Sequence, residues 1–268
     1  MTEEPRILVD TDARGVATVT LNRADKNNAY DGAMVEALHQ GAAQLAADDA
    51  VRVVVLRGNG RCFQAGADLN WVSEVSDGTA EHSEVMTRLT AEAMHRLDAC
   101  PKPTIALVHG ACFGGGTGIL ASCDVVIASE ETVFSIAEVR WGLAPAVIVP
   151  QLAASIGIGN ARRYALSAER FDAATAKTLG LIHEVCPTGG LDEAAAPIID
   201  AFLMNGPEAI AATKAMLRAA AVGTTTDGAD MDALIDDSAA RRQGPEAKEG
   251  LASFREKRNP AWYPGIEG

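Results

Sequence analysis

The sequence predicts an α/β fold, and three observations carry that reading. Short apolar runs rich in Val, Ile and Leu alternate with segments of helical spacing through the first half of the chain. The β-rich runs 7–9 and 15–21 flank Asp12-Ala13-Arg14-Gly15, a hairpin turn. Two further runs, 51–56 and 104–108, each lead into a turn built from small residues, at 63–68 and 109–118.

Each element follows from its pattern. The hairpin opens the chain. Residues 31–46 have helical spacing, with Met34, Leu38, Ala42 and Leu45 on one face. The run 51–56 reads as a strand buried on both faces, because its apolar residues are continuous rather than alternating. Val85, Leu89, Ala93 and Leu97 mark a second amphipathic helix, closed by Cys100-Pro101-Lys102-Pro103. Strands at 104–108 and 124–128 follow. From about residue 147 the pattern is mainly helical, with helices at 191–203, 208–221, 228–241 and 246–257 separated by breaks bearing Gly or Pro. The apolar run 181–185 is the exception and reads as a strand. The Ala-rich tail suits packing or oligomerisation. There is no internal repeat, low-complexity tract or flexible linker.

Composition narrows the function classes. A chain of 268 residues has room for one large domain, or one with an appendage. A net charge of −13 disfavours wide contact with nucleic acid, whose binding is driven by phosphate neutralisation. It leaves room for a small anion held by local cations, such as Arg23 with Lys26, or Arg255 with Lys257 and Arg258. No apolar run is long enough to span a bilayer, and Met1 to Arg6 lacks the pattern of a signal peptide. Five cysteines without a C-x-x-C pair argue against a disulfide framework or structural zinc, so a cytoplasmic protein with reduced thiols is expected. The five histidines show no metal-ligand spacing, and no metal is expected.

The two small-residue turns carry the chemistry. Gly and Ala allow backbone N–H groups to come close to a ligand. Two such turns side by side can aim two donors at one oxygen and stabilise an oxyanion. A competing explanation is that Gly116-Thr117-Gly118-Ile119-Leu120-Ala121 satisfies the dinucleotide fingerprint. It begins too far along the chain for the first βα turn, where that fingerprint belongs. Cys112 has no oriented histidine and reads as a small buried side chain rather than a nucleophile. Glu138 sits in the apolar stretch 134–145. It either pairs with Arg140, the alternative that spacing favours, or sits in a pocket with a raised pKa and acts as a general acid/base.

Taken together these segments resemble the crotonase (enoyl-CoA hydratase/isomerase) superfamily. Leu21-Asn22-Arg23-Ala24-Asp25-Lys26-Asn27-Asn28-Ala29 is similar to its opening motif, with Ala24 where proline is usual. Residues 63–69 resemble F-x-A-G-A-D-L, and residues 114–124 resemble its G-G-G-x-x-L-x-x-x-C-D region. Residues 134–145 resemble its F-x-x-P-E segment, with Ala137 replacing the proline, and 250–258 resemble its ending. The resemblance is colinear over nearly the whole chain.

It implies a spiral of β-β-α turns over residues 1–200 and a helical trimerisation region over 201–268, assembled as a trimer or hexamer. It implies an acyl-CoA thioester as ligand, with no further cofactor, membrane or nucleic-acid partner. By position, the N–H groups of Ala65 and Gly115 would form the oxyanion hole and Glu138 would be the acid/base. Arg23, Lys26, Ala65, Ala67, Asp68 and Leu69 would lie against CoA, and Phe254 and Lys257 would reach the CoA of a neighbouring subunit. Hydratases of the family carry a second glutamate at the position of Gly118. Its loss leaves open a hydratase that places water otherwise, a Δ3,Δ2-enoyl-CoA isomerase, or a non-catalytic acyl-CoA-binding subunit. Three segments, 67–71, 135–148 and 161–171, are similar to bacterial methylglutaconyl-CoA and isohexenylglutaconyl-CoA hydratases. That likeness implies hydration of a branched glutaconyl-type acyl group, with Trp71, Gly118 and Arg140 lining its site and Arg140 available to a second carboxylate.

Overall fold

The computed structural model describes residues 4–221 and 228–265. Met1, Thr2 and Glu3 of the expected leaderless N-terminus lie outside the described residues, as do 222–227 and 266–268 of the C-terminal region.

Strands β1 (Ile7–Thr11) and β2 (Val16–Leu21) form the expected hairpin. Asp12 closes it by accepting hydrogen bonds from the N–H groups of Arg14 and Val16, both at 2.9 Å. Helix α1 (Gly32–Ala47) is capped by the Asp31 carboxylate, which accepts from Met34 N–H at 2.9 Å. Next come β3 (Val53–Gly58), α2 (Leu69–Asp77), α3 (Ala80–Asp98), β4 (Thr104–Val108), β5 (Ala111–Phe113) and α4 (Gly115–Ala121). Strands β6 (Val125–Ser129) and β7 (Val133–Ser135) lead to α5 (Val149–Ser167), β8 (Phe171–Asp172), α6 (Ala173–Leu179) and β9 (Glu184–Cys186). Helices α7 (Leu191–Met204), α8 (Pro207–Ala221), α9 (Gly228–Gln243) and α10 (Pro245–Glu256) complete the described chain.

The larger sheet has the order β1-β2-β3-β4-β6-β9 and is parallel except for the opening hairpin. A smaller sheet, β5-β7-β8, lies beside it. The pairs β4–β5 and β6–β7, each climbing from the large sheet to the small one, are the turns of the expected spiral. Side chains alternate across the large sheet and both faces are covered. Ala17, Val19, Leu21, Val54, Leu56, Ala106 and Val126 enter one core with Met34, Phe63 and Phe134, while Val53, Val55, Ile105, Leu107 and Ile127 enter another with Leu191, Ala195 and Leu203 of α7. That double burial is why the strands read as continuous apolar runs.

The run 181–185 is a correction. Gly180 ends α6 in the left-handed region, and the N–H groups of Leu181 and Ile182 turn back to the carbonyl of Ala176. They complete the helix terminus, so the strand starts only at Glu184. His183 joins the two, donating its N–H to Val126 O and accepting Val126 N–H on Nδ1 at 3.0 Å.

Helix α8 is fastened to the sheet by one ion pair. Lys214 Nζ meets Asp124 Oδ2 at 2.6 Å, and the same oxygen accepts the N–H and hydroxyl of Thr104. Glu246 at the start of α10 accepts the N–H groups of Glu208 and Ala209, capping α8. Among the described residues no helix is long and apolar enough to cross a membrane.

Candidate active site

The two turns singled out in the sequence lie side by side. Residues 64–67 run between the Tyr30 segment on one side and β5 on the other, through a bridge from Tyr30 to Ala67 and another from Gln64 to Cys112. Phe113 donates its N–H to Gln64 O, and Gln64 donates its N–H to Ala111 O. The Gln64 side chain, fully buried, closes the first turn by accepting Gly66 N–H at 2.7 Å and donating to Gly66 O. Asn28, also fully buried, donates from Nδ2 to the carbonyls of Asn59, Cys62 and Phe63 and accepts Arg23 N–H. Its positive φ of 55° suits asparagine, the non-glycine residue most at ease in the left-handed region.

These contacts correct one expectation. The N–H of Ala65 is taken up by Asn27 O at 3.0 Å. The free donor of this turn is Ala67. Its neighbours bracket Tyr30, with Tyr30 N–H to Gly66 O and Asp68 N–H to Tyr30 O, which leaves the Ala67 N–H facing away from Tyr30 and unpaired among the described residues. In the second turn Gly114 N–H is bonded to Ser135 O at 2.8 Å, whereas Gly115 N–H, at the start of α4, has no partner among the described residues. Ala67 and Gly115, one from each turn, are therefore unpaired donors on residues that line a common cavity.

Glu138 follows β7 in a short 3-10 turn, Glu138–Trp141. Gly114, at φ +50°, lies directly against it: a methyl group on Gly114 would stand 3.1 Å from Glu138 Oε1. Glu138 Oε2 is buried and has no hydrogen-bond partner. Burial raises its pKa above the usual carboxylate value, against the pull of the nearby backbone N–H groups of Glu138 and Ala137. The ion pair with Arg140 that spacing favours does not form. Arg140 instead donates to Ala168 O at 2.7 Å.

A cavity of about 330 Å³ opens in front of these groups. Of the residues singled out in the sequence, Ala65, Ala67, Leu69, Trp71, Gly115 and Glu138 line it, together with Tyr30, Met86, Leu143 and Ile148. Among the described residues Glu138 is its one charged lining residue, and Arg140 does not line it. Gly118 is buried in α4 with its face covered by Ile148: a Cβ there would meet Ile148 Cγ2 at 2.1 Å and Cβ at 2.6 Å. Ile148, only 1% exposed, thus stands where a side chain from position 118 would enter.

Beyond Trp71 a groove runs past Arg23, Lys26, Asp31, Asp68 and Glu74. Arg23 is a brace as much as a ligand group, with Asp68 at 2.7 Å, Asp31 at 3.5 Å and Ala29 O at 2.9 Å. Burial raises the Asp68 pKa, but the Arg23 contact and backbone N–H groups outweigh it and the net shift is downward. Lys26 is exposed at the groove edge. Phe254 (83% exposed) and Lys257 sit at the end of α10 and line neither cavity nor groove. Cys112 is fully buried, and burial pushes its thiol well above the ordinary value, which suits packing. Gly116 to Ala121 lie within α4 as helix.

Sequence reasoning missed Tyr30 and Ile148. Tyr30 directly follows the Asn28-Ala29 of the opening motif, so position alone could have raised it. Ile148 reaches Gly118 only through the packing of α5 on α4, for which the sequence has no local signal.

Residues 11–264 match the family model described as enoyl-CoA hydratase/isomerase. A 2,3-dehydroadipyl-CoA hydratase of Escherichia coli is 32% identical over 91% of this chain and 94% of its own. A mitochondrial Delta(3,5)-Delta(2,4)-dienoyl-CoA isomerase of Dictyostelium discoideum is 30% identical over 94% of this chain and 89% of its own. The crystal structure of an enoyl-CoA hydratase from Shewanella pealeana superposes with a TM-score of 0.91 at 39% identity, covering 96% of both chains.

Proposed function

The chain belongs to the enoyl-CoA hydratase/isomerase family, and on that premise we propose that it adds water across the α,β-double bond of an acyl-CoA thioester. The observation that carries this reading is that Glu138, with one buried and unpaired carboxylate oxygen, lines the same cavity as Ala67 and Gly115, whose backbone N–H groups are unpaired among the described residues. The thioester oxygen accepts hydrogen bonds from Ala67 and Gly115. Attack of water at Cβ moves the π electrons toward that oxygen, and each preorganised donor contributes roughly 3 kcal/mol to the transition state. Glu138 takes a proton from water as the C–O bond forms and returns it to Cα, so one carboxylate serves both steps. A raised pKa suits a group that must gain and lose a proton.

The mostly apolar lining supports an apolar acyl chain. A glutaconyl-type carboxylate, as the sequence resemblance implies, would find no cation on the cavity wall, because Arg140 is turned to Ala168 O. The groove with Arg23 and Lys26 suits the adenine and phosphate end of CoA, and no cofactor beyond the CoA moiety is needed. Exposed apolar residues on the last helices, Leu217, Met231, Ile235, Leu251 and Phe254, support assembly into a trimer or hexamer, in which Phe254 and Lys257 would meet a neighbour's CoA. Five free cysteines, four of them buried, support a reducing cytoplasmic setting.

Δ3,Δ2-enoyl-CoA isomerisation is the second reading. It is favoured by Ile148, which bars a second carboxylate from α4 and leaves one base to shuttle a proton between carbons. A panel of 2-enoyl and 3-enoyl thioesters, including 3-methylglutaconyl-CoA, separates the two. Loss of conjugation marks hydration; a gain of conjugation from 3-enoyl-CoA without net water addition marks isomerisation. Glu138→Gln should lower kcat by about 10²- to 10⁴-fold with CoA affinity retained. Near-wild-type turnover in that variant would refute the assignment.

A further inference from the structure

Hydration by a single carboxylate leaves the attacking water short of a partner. Glu138 can take one of its protons, but something must hold the oxygen on line with Cβ. In the resemblance that group would sit at position 118, which Ile148 covers.

Tyr30 occupies the other side of the same turn. A methyl group on Gly115 would come within 2.6 Å of both Oη and Cε1 of Tyr30, so the phenol packs against the residue that carries the second oxyanion donor, as Glu138 packs against Gly114. Its backbone is keyed to the first donor by the hydrogen bonds to Gly66 O and from Asp68 N–H. Its ring is held edge-on by Trp71, with centroids 5.9 Å apart. Tyr30 is partly buried and lines the cavity, and its hydroxyl has no hydrogen-bond partner among the described residues. Burial, and then the charge of Glu138, push its pKa up, so the hydroxyl stays protonated and remains a donor. The other cavity hydroxyls, Ser76, Ser83, Thr87 and Thr90, come from α2 and α3 rather than from the glycine turn.

We propose that the Tyr30 hydroxyl is the second polar group of the reaction centre, holding the attacking water against Glu138 in place of the carboxylate that position 118 cannot carry. This rests on the hydratase reading above. The water gives one proton to the Glu138 carboxylate and forms its bond to Cβ; the proton then passes from Glu138 to Cα. Tyr30 neither gains nor loses a proton overall.

The test compares Tyr30→Phe, which keeps the ring and its contact with Trp71, with Glu138→Gln in two assays. One is hydration of a 2-enoyl-CoA; the other is solvent-deuterium exchange at Cα of a saturated acyl-CoA, which needs the base and the oxyanion donors but no attacking water. Tyr30→Phe should lower the hydration kcat roughly 10- to 100-fold, the range for losing a hydrogen bond to a charged reacting group. Exchange should stay within about twofold of wild type, and Glu138→Gln should lose both activities. Equal slowing of hydration and exchange by Tyr30→Phe would assign Tyr30 to the enolate or to the scaffold and overturn the proposal. Unchanged hydration would overturn it too. Should Glu138→Gln retain both activities, the hydratase reading itself falls, a result distinct from either.

Discussion

Replacing Gly118 by alanine adds one methyl group to α4, and its expected effect has the opposite sign to the usual one. Glycine to alanine inside a helix ordinarily gains about 1 kcal/mol. Here the new Cβ would lie 2.1 Å from Ile148 Cγ2 and 2.6 Å from Ile148 Cβ. Comfortable carbon contacts are about 3.5–4.0 Å, so the overlap exceeds 1 Å on a branched side chain that cannot rotate both atoms away. Ile148 cannot withdraw to solvent either. It is 1% exposed, and its backbone is pinned by bonds of Ile148 and Val149 N–H to Pro145 O and of Leu152 N–H to Ile148 O. Overpacking of this kind costs about 1–3 kcal/mol, here at the upper end. The propensity gain offsets part of it, leaving a net loss of about 2 kcal/mol. Thermal unfolding should then show Tm lowered by about 4–8 °C, at about 2–4 °C per kcal/mol for a chain of this size. Ile148→Gly removes both clashing atoms, so the double variant should be more stable than the two single losses added together by the whole overpacking cost, about 3 kcal/mol. A Gly118→Ala protein as stable as wild type, or more so, would refute the reasoning that Ile148 closes this position.

Three more outcomes follow from named contacts. Glu138 must be ionised to act as a base and its folded-state pKa is raised, so the acidic limb of kcat/KM should fall above the ordinary value of 4.5. The same shift has a stability sign: wild type loses stability relative to Glu138→Gln as pH rises from 4.5 through the folded-state value and then levels off, which denaturant unfolding at several pH values would reveal. Asn28→Ala leaves the carbonyls of Asn59, Cys62 and Phe63 without their donor and puts alanine at a φ of 55°; it should cost about 2–4 kcal/mol in urea unfolding and lower kcat by loosening the turn that presents Ala67. Lys214→Met leaves Asp124 with Thr104 alone, and because Asp124 is still 30% exposed the loss should be about 1–3 kcal/mol, read as a lower unfolding midpoint.

The α/β class, the opening hairpin, the buried strands and the helical C-terminal half are all written locally in the chain. Apolar continuity marks 51–56 and 104–108, and side-chain spacing marks α1 and α3. The short strands of the small sheet are not written that way. Strands β5, β7 and β8 have three, three and two residues, too few for a period, and they exist because neighbouring strands supply their hydrogen bonds. The run 181–185 failed for a related reason: the carbonyl of Ala176 competes for its N–H groups.

The sequence by itself pointed to two glycine- and alanine-rich turns that can present backbone N–H groups, because residue type limits where a backbone can approach a ligand; only the family resemblance joined Glu138 to them. Only the tertiary structure decided which N–H groups are free. Ala65 and Ala67 differ by two positions in the same turn, and it is the carbonyl of Asn27 that occupies one and leaves the other. The tertiary structure also turned Arg140 away from Glu138, set Ile148 against Gly118 and laid Tyr30 on Gly115. Each of these joins segments far apart in the chain. A hydrogen bond or a packed methyl group is assigned by competition among all neighbours in space, and that competition is settled only when the strands and helices have docked.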